Sequence, residues 1–149
     1  MIAVNAVGDV LSSDGTVLAG VRLPPDGQRF AGTLALLRQA GSQAGSGPLR
    51  TSTGSNTVIG VVATNARLDK EQTNKLAQMA QDGLAQAIHP AHTLYDGDTL
   101  FALSTGQQTA DFSLVSAFAA EVVAEAIRNG VREATSMGGI PAARDVKTS

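Results

Sequence analysis

Hydrophobic and polar positions divide the chain into a short series of elements. Ile2 to Leu11 is valine-rich and ends at the turn residues Ser12-Ser13-Asp14-Gly15, which predicts a strand. Thr16 to Ala19 returns as a short second strand, so the two form a hairpin. Phe30 to Gln39 predicts a short helix through Leu34, Leu36 and Leu37. Thr57 to Thr64, "TVIGVVAT", is a continuous apolar and β-branched run. It reads as a strand buried on both faces, ended by Asn65 and Ala66. From Leu68 to Ile88 the period becomes helical: Leu76, Met79, Ala80, Gly83, Leu84, Ala87 and Ile88 recur at steps of three and four. Asp69 suits the N-cap, Gln72 completes a capping box, and Pro90 stands where the helix cannot continue. Thr99 to Thr105 predicts another strand, and Phe112 to Asn129 a second long helix stopped by Asn129-Gly130.

The stretches between these elements are punctuation. Pro24-Pro25-Asp26-Gly27 and Tyr95 to Asp98 are turns, and Gly106 to Asp111 is a loop. Gly41 to Pro48 has linker composition, and Gly54-Ser55 extends it almost to Asn56. This linker, 41–56, divides a single domain into segments 1–56 and 57–149. The tail after Gly138 is expected to be loose. The order strand pair, loop, strand, helix, strand, helix predicts an α/β or α+β layered domain with helices covering a sheet.

Composition narrows the function classes. At 149 residues the chain is long enough for one respectable core. A net charge of -2 and 3% aromatic residues offer neither electrostatic attraction nor stacking platforms for nucleic acid, and no attraction to an anionic membrane. The absence of cysteine removes disulfides, thiolate catalysis and cysteine metal sites. No apolar run approaches the ~18 residues of a membrane span and no signal-peptide pattern opens the chain, so the cytoplasm is the default location. "MIAVNAVGDV" reads as a buried strand from its first residue, as though the sequence began inside a domain.

Several residues are candidates for chemistry. Asn56-Thr57 stands where linker composition meets the apolar strand. A threonine hydroxyl is a weak nucleophile without an adjacent base, and one solution makes the threonine a chain's first residue, with its own α-amine as that base. Backbone cleavage before Thr57 would expose the amine. The plainer reading is a strand-opening threonine chosen for β-propensity. Asp96-Gly97-Asp98 places two carboxylates two residues apart, suited to orient a hydroxyl and an ammonium or to hold a hard cation, or else forms an ordinary Asp-Gly turn. Asn5, amid valines, would donate to an oxyanion or simply end a strand before a bulge at Gly8. His89 and His92 flank Pro90 without a third metal ligand nearby, which favours a helix end and a polar loop contact. Gly41 to Gly47 lacks the lysine of a phosphate loop, and no G-x-S-x-G elbow is present.

Taken in order, "VNAVGDV", "NTVIGVVATNARL", a helix of "KLAQMAQDGLAQAI" type and "HPAHTLYDGDTLFALSTG" resemble the L-aminopeptidase/D-esterase family, which includes the β-aminopeptidases and the nylon-oligomer hydrolase. The resemblance runs from about Ile2 to Gly130. It implies an αββα sandwich, here lacking its N-terminal part, and a precursor that cuts itself before a Ser or Thr. By position it makes Asn56-Thr57 the scissile bond, Thr57 the nucleophile, Asp96 and Asp98 the acidic pair that orients nucleophile and amine, and Asn5 an oxyanion donor. It further implies short peptide, amino-acid amide, ester or small oligoamide substrates, no metal or organic cofactor, and homo-oligomers of four or more subunits. Family precursors carry an upstream segment with a tyrosine and a lysine of the site. The only tyrosine here is Tyr95, so the chain resembles the C-terminal part of such an enzyme. The second expectation is a non-catalytic, unprocessed fragment or association module of the same fold.

Overall fold

The structure, a computed structural model, describes residues 1–22, 27, 29–42 and 56–146. In chain order its elements are β1 (Ile2–Asn5), β2 (Asp9–Leu11), β3 (Val17–Ala19), α1 (Thr33–Ser42), β4 (Thr57–Ala66), α2 (Lys70–Ala80), α3 (Asp82–Ala87), β5 (Ile88–His89), β6 (Thr99–Gln108) and α4 (Phe112–Glu133), then a 3-10 turn at Ala143–Asp145. One sheet has the order β1-β4-β6 and a smaller one β3-β2-β5. β1 lies antiparallel to β4, with Asn5 opposite Thr57. β4 and β6 are parallel, and α2 and α3 supply part of the crossover that a parallel pair requires. The arrangement is the layered α+β domain expected from the order of elements.

The core lies between the first sheet and the helices. Val58 and Leu100 point inward from the sheet, against Leu76, Leu84, Val123 and Ile127. α3 and α4 touch through Gly83. A methyl group there would lie 2.3 Å from the Ala120 carbonyl oxygen and 2.7 Å from Val123 Cβ. Neither neighbour is the end of a flexible side chain, so the helices would have to separate. Gly83→Ala is expected to destabilise the fold by about 1–3 kcal/mol. A thermal melt checks it: Tm should fall by several degrees, and an unchanged Tm would contradict this packing.

Several expectations need correction. Ile2 to Leu11 is not one strand. It breaks at residues 6–8, and its halves belong to different sheets. Gly8 passes so close to the His89-Pro90 backbone that a Cβ would meet the Pro90 oxygen at 2.2 Å. The valine pattern hides this change because period two serves both sheets equally. The Leu68 to Ile88 helix starts at Lys70, is interrupted at Gln81 and ends at Ala87; Ile88 pairs with Val10 instead. Gln81 keeps helical backbone angles, so the apolar period runs through the break. The capping box of Asp69 and Gln72 is present as expected. α1 is displaced by three residues, from Phe30–Gln39 to Thr33–Ser42, because the Asp9 carboxylate takes the Thr33 N–H and hydroxyl.

β4 extends through Ala66, and it is not buried on both faces. Its side chains alternate, with Val58 sealed and Ile59 49% exposed. On the same open face Phe101 and Leu103 of β6 are 57% and 52% exposed. β6 continues through Gln108 into the expected loop. α4 runs past Asn129-Gly130 to Glu133, because Arg144 donates to the terminal carbonyls of Glu133 and Ala134. That contact belongs to a tail that, through Val146, is built rather than loose. Met137 and Ile140 pair across Gly138 and Gly139, both at positive φ, which makes a tight reversal. Gly41 and Ser42, expected to open the linker, close α1 instead; the turn at Pro24 to Gly27 and the rest of the linker lie almost wholly outside the described residues.

The β2–β3 hairpin forms as expected, with an irregularity between Val10 and Leu11. Asp14 closes its turn. The Ser12 hydroxyl, then the Thr16 N–H and hydroxyl, hold its carboxyl down at about 2 from 3.8. A lowered carboxyl stabilises the fold above its unfolded pKa, so this turn's contribution is complete above 3.8 and lost as pH falls through about 2.

Candidate active site

Thr57 opens β4, and the sheet register decides what surrounds it. Ile59 pairs with Thr99, and the same offset continues backwards to a parallel bridge between Asn56 and Asp96. The Gly97 N–H therefore donates to the Asn56 carbonyl oxygen at 3.0 Å. The Thr57 hydroxyl donates to that same oxygen at 2.6 Å. With a C=O bond of ~1.23 Å, the hydroxyl oxygen stands no farther than ~3.8 Å from the carbonyl carbon. One peptide carbonyl thus carries both an adjacent hydroxyl and a backbone donor.

The two carboxylates brace the backbone around this bond. Asp98 accepts the Val58 N–H at 2.9 Å, and its side chain is only 6% exposed. Asp96 accepts the Thr93 N–H at 3.0 Å, the Thr93 hydroxyl at 2.8 Å and the Val7 N–H at 3.4 Å. Among the described residues the hydroxyl of Thr57 bonds to Asn56 and not to either carboxylate. Asn5 is brought alongside. As the cross-strand partner of Thr57 it shares the open face of the sheet, where directly opposed Cβ atoms lie ~4.5–5.5 Å apart. Thr57, Asp96, Asp98 and Asn5, read from three separate segments, meet at one end of the first sheet.

The histidines separate. His89 Nε2 contacts the Ala85 carbonyl at the helix end, whereas His92 Nδ1 stands 3.6 Å from Asp98 Oδ2. His92 was not read as part of the acidic pair's surroundings, and its left-handed backbone (φ 56°) is what turns it there. Thr93 was also missed, although it carried a signal: Thr-x-x-Asp is the reciprocal spacing of a capping box. Gly97 had no signal beyond the turn, because local sequence does not show which carbonyl its N–H faces or which side chain crowds it. Among the described residues no three His, Cys, Asp or Glu side chains stand together as a metal site, and no helix is long and apolar enough to cross a membrane.

The structure thus sets a strand-opening threonine, two flanking carboxylates and a cross-strand asparagine together on a layered α+β domain. Sequence comparison places it more narrowly: residues 3–144 match the model of Peptidase family S58, and the chain belongs to that family. An uncharacterized aminopeptidase of Mycobacterium bovis is 35% identical over 169 aligned positions, covering 98% of this chain and 46% of that protein. One from Mycobacterium leprae is 45% identical over 101 positions, 58% of this chain and 28% of that protein. A 6-aminohexanoate-oligomer endohydrolase of Agromyces sp. is 31% identical over 107 positions, 72% of this chain and 29% of that protein. The chain spans about half the length, or less, of these relatives.

Proposed function

We propose that this polypeptide is the nucleophile-bearing part of a self-processing amidase. It cuts its own chain between Asn56 and Thr57, then uses Thr57 to hydrolyse amide bonds in short peptides, amino-acid amides or esters, or small oligoamides. The observation that carries this reading is the Thr57 hydroxyl 2.6 Å from the oxygen of the carbonyl before it. Family membership and the names of the relatives support peptide and amide hydrolysis as the class of reaction.

The chemistry follows from the free amine. After the cut, the neutral α-amine of Thr57 takes the hydroxyl proton as the oxygen attacks the substrate carbonyl. The amine then returns the proton to the leaving nitrogen, and water releases the acyl group from the Thr57 oxygen. Asn5, beside Thr57, donates to the tetrahedral oxyanion. Asp98 and Asp96 hold the new amine and hydroxyl in place. No metal or organic cofactor enters any step. The apolar face beyond Thr57, with Ile59 and Phe101 exposed, is covered by the rest of the protein or by neighbouring subunits of a homo-oligomer.

Mass spectrometry with a slowly deacylating ester tests the nucleophile: an acyl adduct should appear on the peptide that begins at Thr57. An adduct elsewhere would overturn the assignment. The base also sets a pH profile. A free α-amine has a pKa of ~7.7–8.0 and works only when neutral, so kcat/KM should rise about tenfold per unit below that range and level above it. A flat profile from pH 5 to 9 would contradict the amine as base.

A further inference from the structure

We infer that the Gly97 backbone N–H is the oxyanion donor for cleavage of the Asn56–Thr57 bond, and that position 97 is glycine because the attacking hydroxyl needs the space. The inference rests on the self-cleavage reading of Thr57 and adds to it a residue with its own role. Gly97 N–H donates at 3.0 Å to the oxygen that the Thr57 hydroxyl also contacts, the oxygen on which negative charge would develop. Register fixes this donor rather than chance: Asn56–Asp96 continues the pairing of β4 with β6, and Asp98 anchors the next N–H, that of Val58. A donor already aimed at the carbonyl needs no reorganisation as the bond is attacked. A Cβ at position 97 would lie 3.0 Å from Thr57 Oγ1 and 3.7 Å from the Asn56 oxygen, inside the space the hydroxyl occupies.

The step balances without an outside reagent except water. The Thr57 oxygen bonds to the Asn56 carbonyl carbon while the C–N bond breaks, and the hydroxyl proton ends on the Thr57 nitrogen. Water then adds to the resulting ester, the C–O bond breaks, and Asn56 leaves as a carboxylic acid. Both steps pass through an oxyanion on the Asn56 carbonyl oxygen, where Gly97 donates. The division of labour is therefore Gly97 for the cut and Asn5 for later substrates.

The test replaces Gly97 by glycolic acid during cell-free translation, which exchanges its N–H for an ester oxygen. Appearance of the chain beginning at Thr57 is then timed from synthesis. The cut should slow by about 10²-fold, the usual loss for one oxyanion donor. Gly97→Ala, which keeps the N–H but crowds the hydroxyl, should also cut more slowly. Wild-type cleavage with an equally fast glycolic-acid variant overturns the donor role and leaves the Thr57 reading standing. No cleavage of the wild-type chain overturns both. A folding failure of the ester variant is bypassed by NMR of the uncut Thr57→Ala chain. A scalar coupling between the Gly97 nitrogen and the Asn56 carbonyl carbon is expected, and its absence overturns the inference.

Discussion

Thr57→Ala is expected to leave the chain uncut and to lower amide hydrolysis by at least ~10⁴-fold, the scale seen when a covalent nucleophile is removed. Both effects come from one oxygen. It is the atom beside the Asn56 carbonyl in the intact chain, and in the proposed mechanism it is the acyl carrier afterwards. The substitution should leave the fold intact, because Thr57 is only half-buried at a strand end and Val58 makes the core contact. Thr57→Ser, which keeps an oxygen, should retain the cut. Time-resolved gel analysis and a chromogenic amide assay check both. Cleavage that survives in Thr57→Ala would move the nucleophile elsewhere.

Asp98→Asn is the second variant with a large expected effect. Asparagine retains an oxygen to accept the Val58 N–H, so the strand end should keep its place. What disappears is the negative charge. In the proposed mechanism that charge orients the Thr57 amine, one residue from the N–H it already holds. Loss of a positioned charged group in a largely buried site should lower kcat/KM by roughly 10²-fold or more, with Tm little changed. If kcat/KM stays within about twofold, Asp98 serves only as a backbone clamp.

How much of this was legible in the residues depended on what kind of information each feature carries. Period-two and period-3.6 patterns found every long element, because burial selects side chains in those rhythms. They could not show that Ile2 to Leu11 changes sheet at residues 6–8, since the rhythm is the same on both sides of the turn. Nor could they show the break at Gln81, where backbone angles stay helical. The run "TVIGVVAT" suggested burial on both faces because every residue is small or apolar; which face lies open depends on packing the run does not encode. At the site, Thr57, Asp96, Asp98 and Asn5 stood out by residue type and by ordered resemblance. Their meeting depends on a 40-residue parallel register and an antiparallel pairing, neither of which local sequence displays. Gly97 was visible only as a turn glycine. Its N–H acquires meaning from the carbonyl it faces.

The proposed self-cleavage of the Asn56-Thr57 bond is decided by the ends of the chains it leaves. Purified protein, expressed in a host and then freed of proteases, can be incubated and its chain ends sequenced. A new chain starting Thr-Val-Ile-Gly-Val is expected, accumulating at a rate independent of protein concentration. A chain that remains continuous through residue 57 after long incubation, in protein that hydrolyses amides at the same time, would contradict it.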